Sequence, residues 1–157
     1  MGAYLNPGNN GYREILQSEY VDKTGLIALI NHTLGTREKL SCISRPRRFG
    51  KSYAAKMLCA YYDCSCDSRE LFDDKEIARS RDYLTHLNQY HVISLDITGF
   101  ISSAIIMDMT LSNVPNMMAD AVCRELTESY PELEGKSLAD TLIGCVEKSG
   151  KNVCIRH

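Results

Sequence analysis

No stretch of this 157-residue chain approaches the roughly 20 consecutive apolar residues that cross a bilayer, so a membrane-spanning helix is not expected. An excess of one charge is also missing. Eighteen Lys and Arg stand against 20 Asp and Glu, and the isoelectric point near 6.1 gives no global attraction to nucleic acid or to an anionic membrane. The opening residues Met1 to Asn10 are polar and contain Pro7 and Gly8, unlike a secretory leader. Histidine is scarce, and none lies close to Cys59, Cys64 and Cys66, whose CxC spacing is not that of a zinc knuckle. Seven cysteines, an odd number without a leader, therefore read as reduced thiols in a cytoplasmic protein.

What the chain does have is the length of one domain and enough apolar residues for a core. It also has one stretch with chemistry in it: Leu40 to Tyr53, LSCISRPRRFGKSY. Leu40 to Ile43 is short and apolar enough to predict one buried strand, followed by a loop containing Pro46 and Gly50. Lys51 and Ser52 then open SYAAKMLCAYY, in which apolar residues recur at helical spacing. Strand, tight loop, Gly-Lys-Ser and helix is the layout of a phosphate-binding loop.

The residue types follow from the ligand. A triphosphate is held by successive backbone N–H groups aimed inward at a helix N-terminus, which requires a residue such as Gly50 for close approach. Lys51 would set an ammonium against the terminal phosphates, and the Ser52 hydroxyl would ligate a bridging Mg²⁺. The expected pattern GxxxxGK[ST] is broken at its first position, where Arg45 replaces Gly. Read without a ligand, the same residues form a basic turn capped by Ser52. Between Arg45 and Tyr62 there are Arg45, Arg47, Arg48, Lys51 and Lys56 and no acid, a local cluster that suits phosphate.

Taken together, YVDKTGLI (Tyr20 to Ile27) and SRPRRFGKS (Ser44 to Ser52) resemble the AAA-ATPase-like domain of bacterial proteins that often carry a PD-(D/E)XK nuclease-like domain. In that family Arg is common at the first loop position, so the resemblance turns Arg45 into the expected residue. It implies a P-loop NTPase-like α/β fold, a parallel sheet flanked by helices, incomplete at the C-terminus. It implies ATP and Mg²⁺ as cofactors, with Arg45, Pro46, Arg47, Arg48, Phe49, Gly50, Lys51, Ser52 and Tyr53 around the nucleotide, Lys51 catalytic and Ser52 on the metal. It also implies that Tyr20 to Thr24 lie beside the nucleotide base; the residues by themselves show only a capped amphipathic helix.

Along the remaining chain, YREILQSEY reads as a short helix, and Lys23 to about Thr33 as another, with Asp22 or Thr24 as cap. The helix from Lys51 is expected to end at Tyr62, before the turn-like CSCDS. Short helices are expected in Ser68 to Ala78 and from Ser80 to about Asn88. His91 to Thr98, HVISLDIT, reads as the clearest strand, ended by Gly99. Its Asp96 is either a Walker B acid or, by resemblance, a residue of a second strand without assigned role; Ile97 stands where a water-activating Glu would follow. Ile101 to Leu111 carries no clear pattern. Asn113 caps a helix over Val114 to Tyr130 with Pro115 in its first turn, and Met117, Met118, Ala121, Val122, Leu126 and Tyr130 form its core face. Ser137 and Asp140 mark a capped helix over Leu138 to Lys148, closed by Gly150, and Asn152 to Ile155 begins a strand.

By resemblance, that last strand would deliver the Walker B acid and a second acid, but after Ile155 come Arg156 and His157. Residues 1–157 thus read as the N-terminal part of an AAA-ATPase-like domain, truncated or frame-shifted at the Walker B strand, that binds nucleotide with weak or absent hydrolysis. Whether it is an enzyme stays open. The alternative is a non-catalytic module in which the Arg and Lys cluster 45–56 grips a nucleic-acid backbone; Phe49, Tyr53, Tyr61 and Tyr62 lie nearby, but their helical spacing suits packing better than stacking on bases. Nucleic acid is also a partner expected through the nuclease-like domain of the family.

Overall fold

The computed structural model describes residues 2–44 and 50–156 of an α/β protein. They divide into two compact units, Gly8–Tyr90 and the described part of Met1–Pro7 with His91–His157.

The unit Gly8–Tyr90 is built on helices: α1 (Asn10–Leu16), α2 (Gly25–Asn31), α3 (Lys51–Tyr62), α4 (Arg69–Phe72) and α5 (Tyr83–His86). Its interior is aromatic. Tyr12 stacks on Phe72 with ring centroids 5.0 Å apart, and Tyr61 meets Phe72 edge-on. Both faces of the α3 C-terminal half are covered, with Met57, Cys59, Ala60, Tyr61 and Tyr62 all buried, each large side chain stabilising by about 1.5–3 kcal/mol. The buried tyrosine hydroxyls need partners, and Asn31 of α2 supplies them. Its amide donates to Tyr61 and its carbonyl oxygen accepts from Tyr62 at 2.7 Å.

The chain leaves α3 through Asp63, fully buried, whose carboxylate accepts from the backbone N–H of Gly8 at 2.6 Å and of Ser65 at 2.7 Å. Asn88 closes the same turn, its amide donating to the carbonyls of Ala60 and Asp63. The CSCDS segment is therefore a turn, as its composition predicts.

Leu40 to Ile43 departs from expectation. Leu40 to Ser44 form no strand and are exposed, Leu40 to 91%. Apolar residues make a strand only where another backbone pairs with it, and no named strand occurs among the described residues of this unit. The unit's isolated bridge joins Asp63 to Tyr90 instead.

The second unit contains β1 (His91–Ser94), α6 (Ile97–Ile106), α7 (Val114–Ser129), α8 (Leu138–Ser149) and β2 (Val153–Arg156). β1 and β2 pair in parallel, His91 opposite Val153 and Ser94 opposite Arg156, and the Arg156 guanidinium donates to Ser94 Oγ at 2.9 Å. On the other side of β1, Asn6 N–H donates to Val92 O and Ser94 N–H to Tyr4 O. The N-terminal segment is locked further by Glu125 of α7, whose carboxylate accepts from the N–H groups of Ala3, Tyr4 and Leu5. One core joins Leu5, Ile93, Val122, Leu126, Leu133 and Cys145; Phe100, Ala104 and Val114 form a second, with Met117, Met118 and Ala121 against it.

The strand expected over His91 to Thr98 stops at Ser94, because Asp96 is the N-cap of α6 and Gly99 lies inside that helix. The Asp96 carboxylate folds back over Gly99, so close that a Cβ there would stand 3.2 Å from Asp96 Oδ2. Asp96 is thus a helix-start residue. Much of Ile101 to Leu111, patternless in sequence, is the same helix, ended by Asp108 at a φ of +53°. Helix α8 begins as expected, Ser137 Oγ accepting from Asp140 N–H, and closes at Gly150, φ +67°.

Removing the Asp63 carboxylate strands two backbone donors, so Asp63→Ala should cost about 1–3 kcal/mol and lower the urea midpoint at unchanged slope. An unaltered midpoint would show that the turn is held by Asn88 alone.

Candidate functional site

α3 begins at a backbone inversion. Gly50 is its N-cap with a φ of +78°, a conformation that costs an L side chain about 1–2 kcal/mol. The first helical bond runs from Ala54 N–H to Gly50 O, which leaves the N–H groups of Lys51, Ser52 and Tyr53 aimed out of the helix end. Among the described residues no side chain caps them, and no acid stands in the first turn. The N-terminal partial charge of a twelve-residue helix lies beside the exposed Lys51, Ser52 and Tyr53. A donor set of amides, one hydroxyl and an ammonium, uncompensated by carboxylate, fits an oxyanion and suits no cation on its own.

Of the nine residues expected around a nucleotide, Gly50, Lys51, Ser52 and Tyr53 share this helix start. Arg45, Pro46, Arg47, Arg48 and Phe49 lie outside the described residues. Tyr61 and Tyr62, whose helical spacing suited packing better than base stacking, are buried with Phe72 and Asn31. Tyr53 is half exposed.

The segment Tyr20 to Thr24 reaches the same place from the side. The Asp22 carboxylate accepts from Thr24 N–H at 2.9 Å and from Glu76 N–H at 2.8 Å. Thr24 is fully buried, and its Oγ1 accepts from Ile77 N–H at 3.1 Å. Neither side chain caps α2, which starts at Gly25 without a side-chain cap; both bind the chain around Glu76 instead. Tyr20 Oη accepts from Tyr12 Oη at 3.0 Å and lies 3.4 Å from Lys23 N. The Lys23 ammonium comes to Gly50, 3.3 Å from the position a Cβ there would take. Sequence reasoning did not single out Lys23. Its position within YVDKTG was the available signal, but which residue its side chain meets depends on the fold.

Two burial effects set ionisation near this segment. Burial raises the Tyr12 phenol far above its ordinary value, reinforced by its bond to Tyr20. At Asp22 burial opposes ionisation, yet the N–H groups of Glu76 and Thr24 outweigh it and hold the carboxyl below the usual range.

Metal-binding groups of His, Cys, Asp and Glu are absent among the described residues. His86 Nδ1 pairs with Tyr90 Oη at 2.7 Å and His91 Nδ1 with Asn6 Nδ2 at 3.0 Å, roles within the packing. No described helix is long and apolar enough to cross a membrane.

The sequence profile of a family described as AAA-ATPase_like, Predicted AAA-ATPase, matches residues 8–155. No curated protein and no solved structure matches the chain.

Asp22, ionised more readily folded than unfolded, adds stability above the ordinary carboxylate value of about 3.9 and loses it as pH falls through the lower folded value. The wild type should therefore melt above Asp22→Asn at pH 7, and the gap should close under acid, below about pH 4. A gap that persists unchanged into strong acid would assign the Asp22 contribution to shape rather than charge.

Proposed function

The chain belongs to the predicted AAA-ATPase family, whose profile spans residues 8–155, and from that premise we propose that it binds a nucleoside triphosphate, ATP with Mg²⁺, at the start of α3. The observation that carries this reading is the left-handed Gly50 opening a helix whose first amides have no side-chain cap among the described residues and whose first two side chains are Lys51 and Ser52.

The chemistry proceeds from charge. Successive N–H groups over the positive end of a helix hold phosphate oxygens at short range without a competing anion. Lys51 adds a mobile ammonium that reaches the terminal phosphates, and Ser52 offers a hydroxyl lone pair to the metal that accompanies them. Bound there, Mg²⁺ would neutralise phosphate charge. The loop residues Arg45, Pro46, Arg47, Arg48 and Phe49 complete the cradle in this proposal, Arg45 standing where the general pattern has Gly. This reading implies a P-loop NTPase-like fold as the finer form of the α/β architecture.

Binding, as distinct from turnover, is what these residues support. Charge-assisted contacts to phosphate contribute about 1.5–3 kcal/mol each. Lys51→Ala should accordingly weaken ATP·Mg²⁺ by at least about tenfold in a calorimetric titration, with thermal stability kept, since the side chain is exposed. Equal affinity in wild type and variant would remove the assignment, and DNA binding that saturating ATP leaves untouched would point to the nucleic-acid backbone instead.

A further inference from the structure

Resting on that nucleotide reading, we propose that Lys23 is a second cation for the polyphosphate, delivered to the α3 N-terminus by the Tyr20 to Thr24 segment. Its backbone is fixed from both sides. Asp22 is tied to Glu76 N–H and Thr24 N–H, Thr24 is buried and tied to Ile77 N–H, and Tyr20 Oη stands against Lys23 N. The Lys23 side chain, exposed like Val21 and Asp22, extends to Gly50, with its ammonium 3.3 Å from where a Cβ would be.

Among the described residues no ion pair accounts for that position. A lysine side chain loses rotamer freedom when held in one place, and an ion pair is the ordinary compensation. None of the ion pairs among the described residues includes Lys23; they join Arg69 to Asp73, Lys75 to Asp74 and Lys148 to Glu132. The ammonium lies instead at Gly50, the residue that opens α3. A cation and the positive end of a helix repel one another until an anion enters. The ligand that relieves this is multiply charged, and a longer phosphate chain relieves it more.

Lys23 therefore sets a preference for phosphate number, acting on the tail of the nucleotide while leaving the base and sugar to other contacts. Gly50 is part of the same device. A side chain at this position would both disfavour the +78° φ and crowd the Lys23 ammonium, 3.3 Å from its Cβ.

The test measures Mg²⁺-saturated ATP, ADP, AMP and adenosine against the full chain and against Lys23→Met, Lys23→Arg and Lys51→Ala. Lys23→Met keeps the apolar stem and removes the charge; should it unfold, Lys23→Gln serves the same purpose. The expected result is about tenfold weaker ATP for Lys23→Met, a smaller loss for ADP, AMP and adenosine within about twofold, and recovery to within about threefold in Lys23→Arg. Equal losses for all four ligands would overturn the proposal, because a merely structural lysine moves them together. ATP affinity unchanged by Lys23→Met but weakened by Lys51→Ala would reject Lys23 and leave the site standing. Affinity changed by neither would reject the site, and Lys23 with it.

Discussion

The burial of the second half of α3 is the constraint on which the candidate site depends. Met57, Ala60, Tyr61 and Tyr62 are almost wholly removed from water, and Tyr61 and Tyr62 are tied through Asn31 to α2. Anchoring the C-terminal half fixes the axis along which the N-terminal end of α3 points. The amides of Lys51, Ser52 and Tyr53 are thereby aimed in one direction before any ligand arrives, and pre-organisation of this kind removes much of the ordering cost of binding. Lys51, Ser52 and Tyr53 stay outside the core, so packing and recognition occupy opposite ends of one twelve-residue element.

A second anchoring brings chemistry to that end. Asp22 and Thr24 give their side-chain oxygens to the backbone near Glu76 and Ile77, which fixes the strand of chain that precedes α2 against a distant part of the same unit. The acid and the hydroxyl that look like helix caps in the sequence are used for long-range attachment. Lys23, lying between them, is the residue left to face outward at Gly50. Buried Asp63 performs the matching task at the far end of α3, where it ties the helix exit to Gly8.

Legibility in the sequence followed the range of the interaction. Local signals were dependable: α3 spans Lys51–Tyr62 as its periodicity predicts, Ser137 and Asp140 start α8, and Gly150 ends it. The core face of α7 was readable for the same reason, with Val122 and Leu126 buried at helical spacing. Pairing was not readable. Leu40 to Ile43 has strand-like composition and no partner among the described residues, whereas Val92 and Ile93 have β2 on one side and the Tyr4 to Asn6 segment on the other. Asp96 misled by the same logic, since an apolar run ending in an acid does not reveal whether the next residues extend a strand or, as here, turn into α6. That Gly50, Lys51 and Ser52 stand at a helix start could be read from their order alone, but the approach of Lys23 to Gly50 depends on the Asp22 and Thr24 attachments, which no spacing discloses.

The most direct measurement is an amide correlation spectrum of the isotopically labelled protein, followed residue by residue as ATP·Mg²⁺ is added. If the helix start is the phosphate site, the signals of Gly50, Lys51, Ser52 and Tyr53 move together and saturate at one concentration, while those of the buried half of α3 stay in place. Saturable shifts confined to other parts of the chain, with these four amides still, would contradict the account.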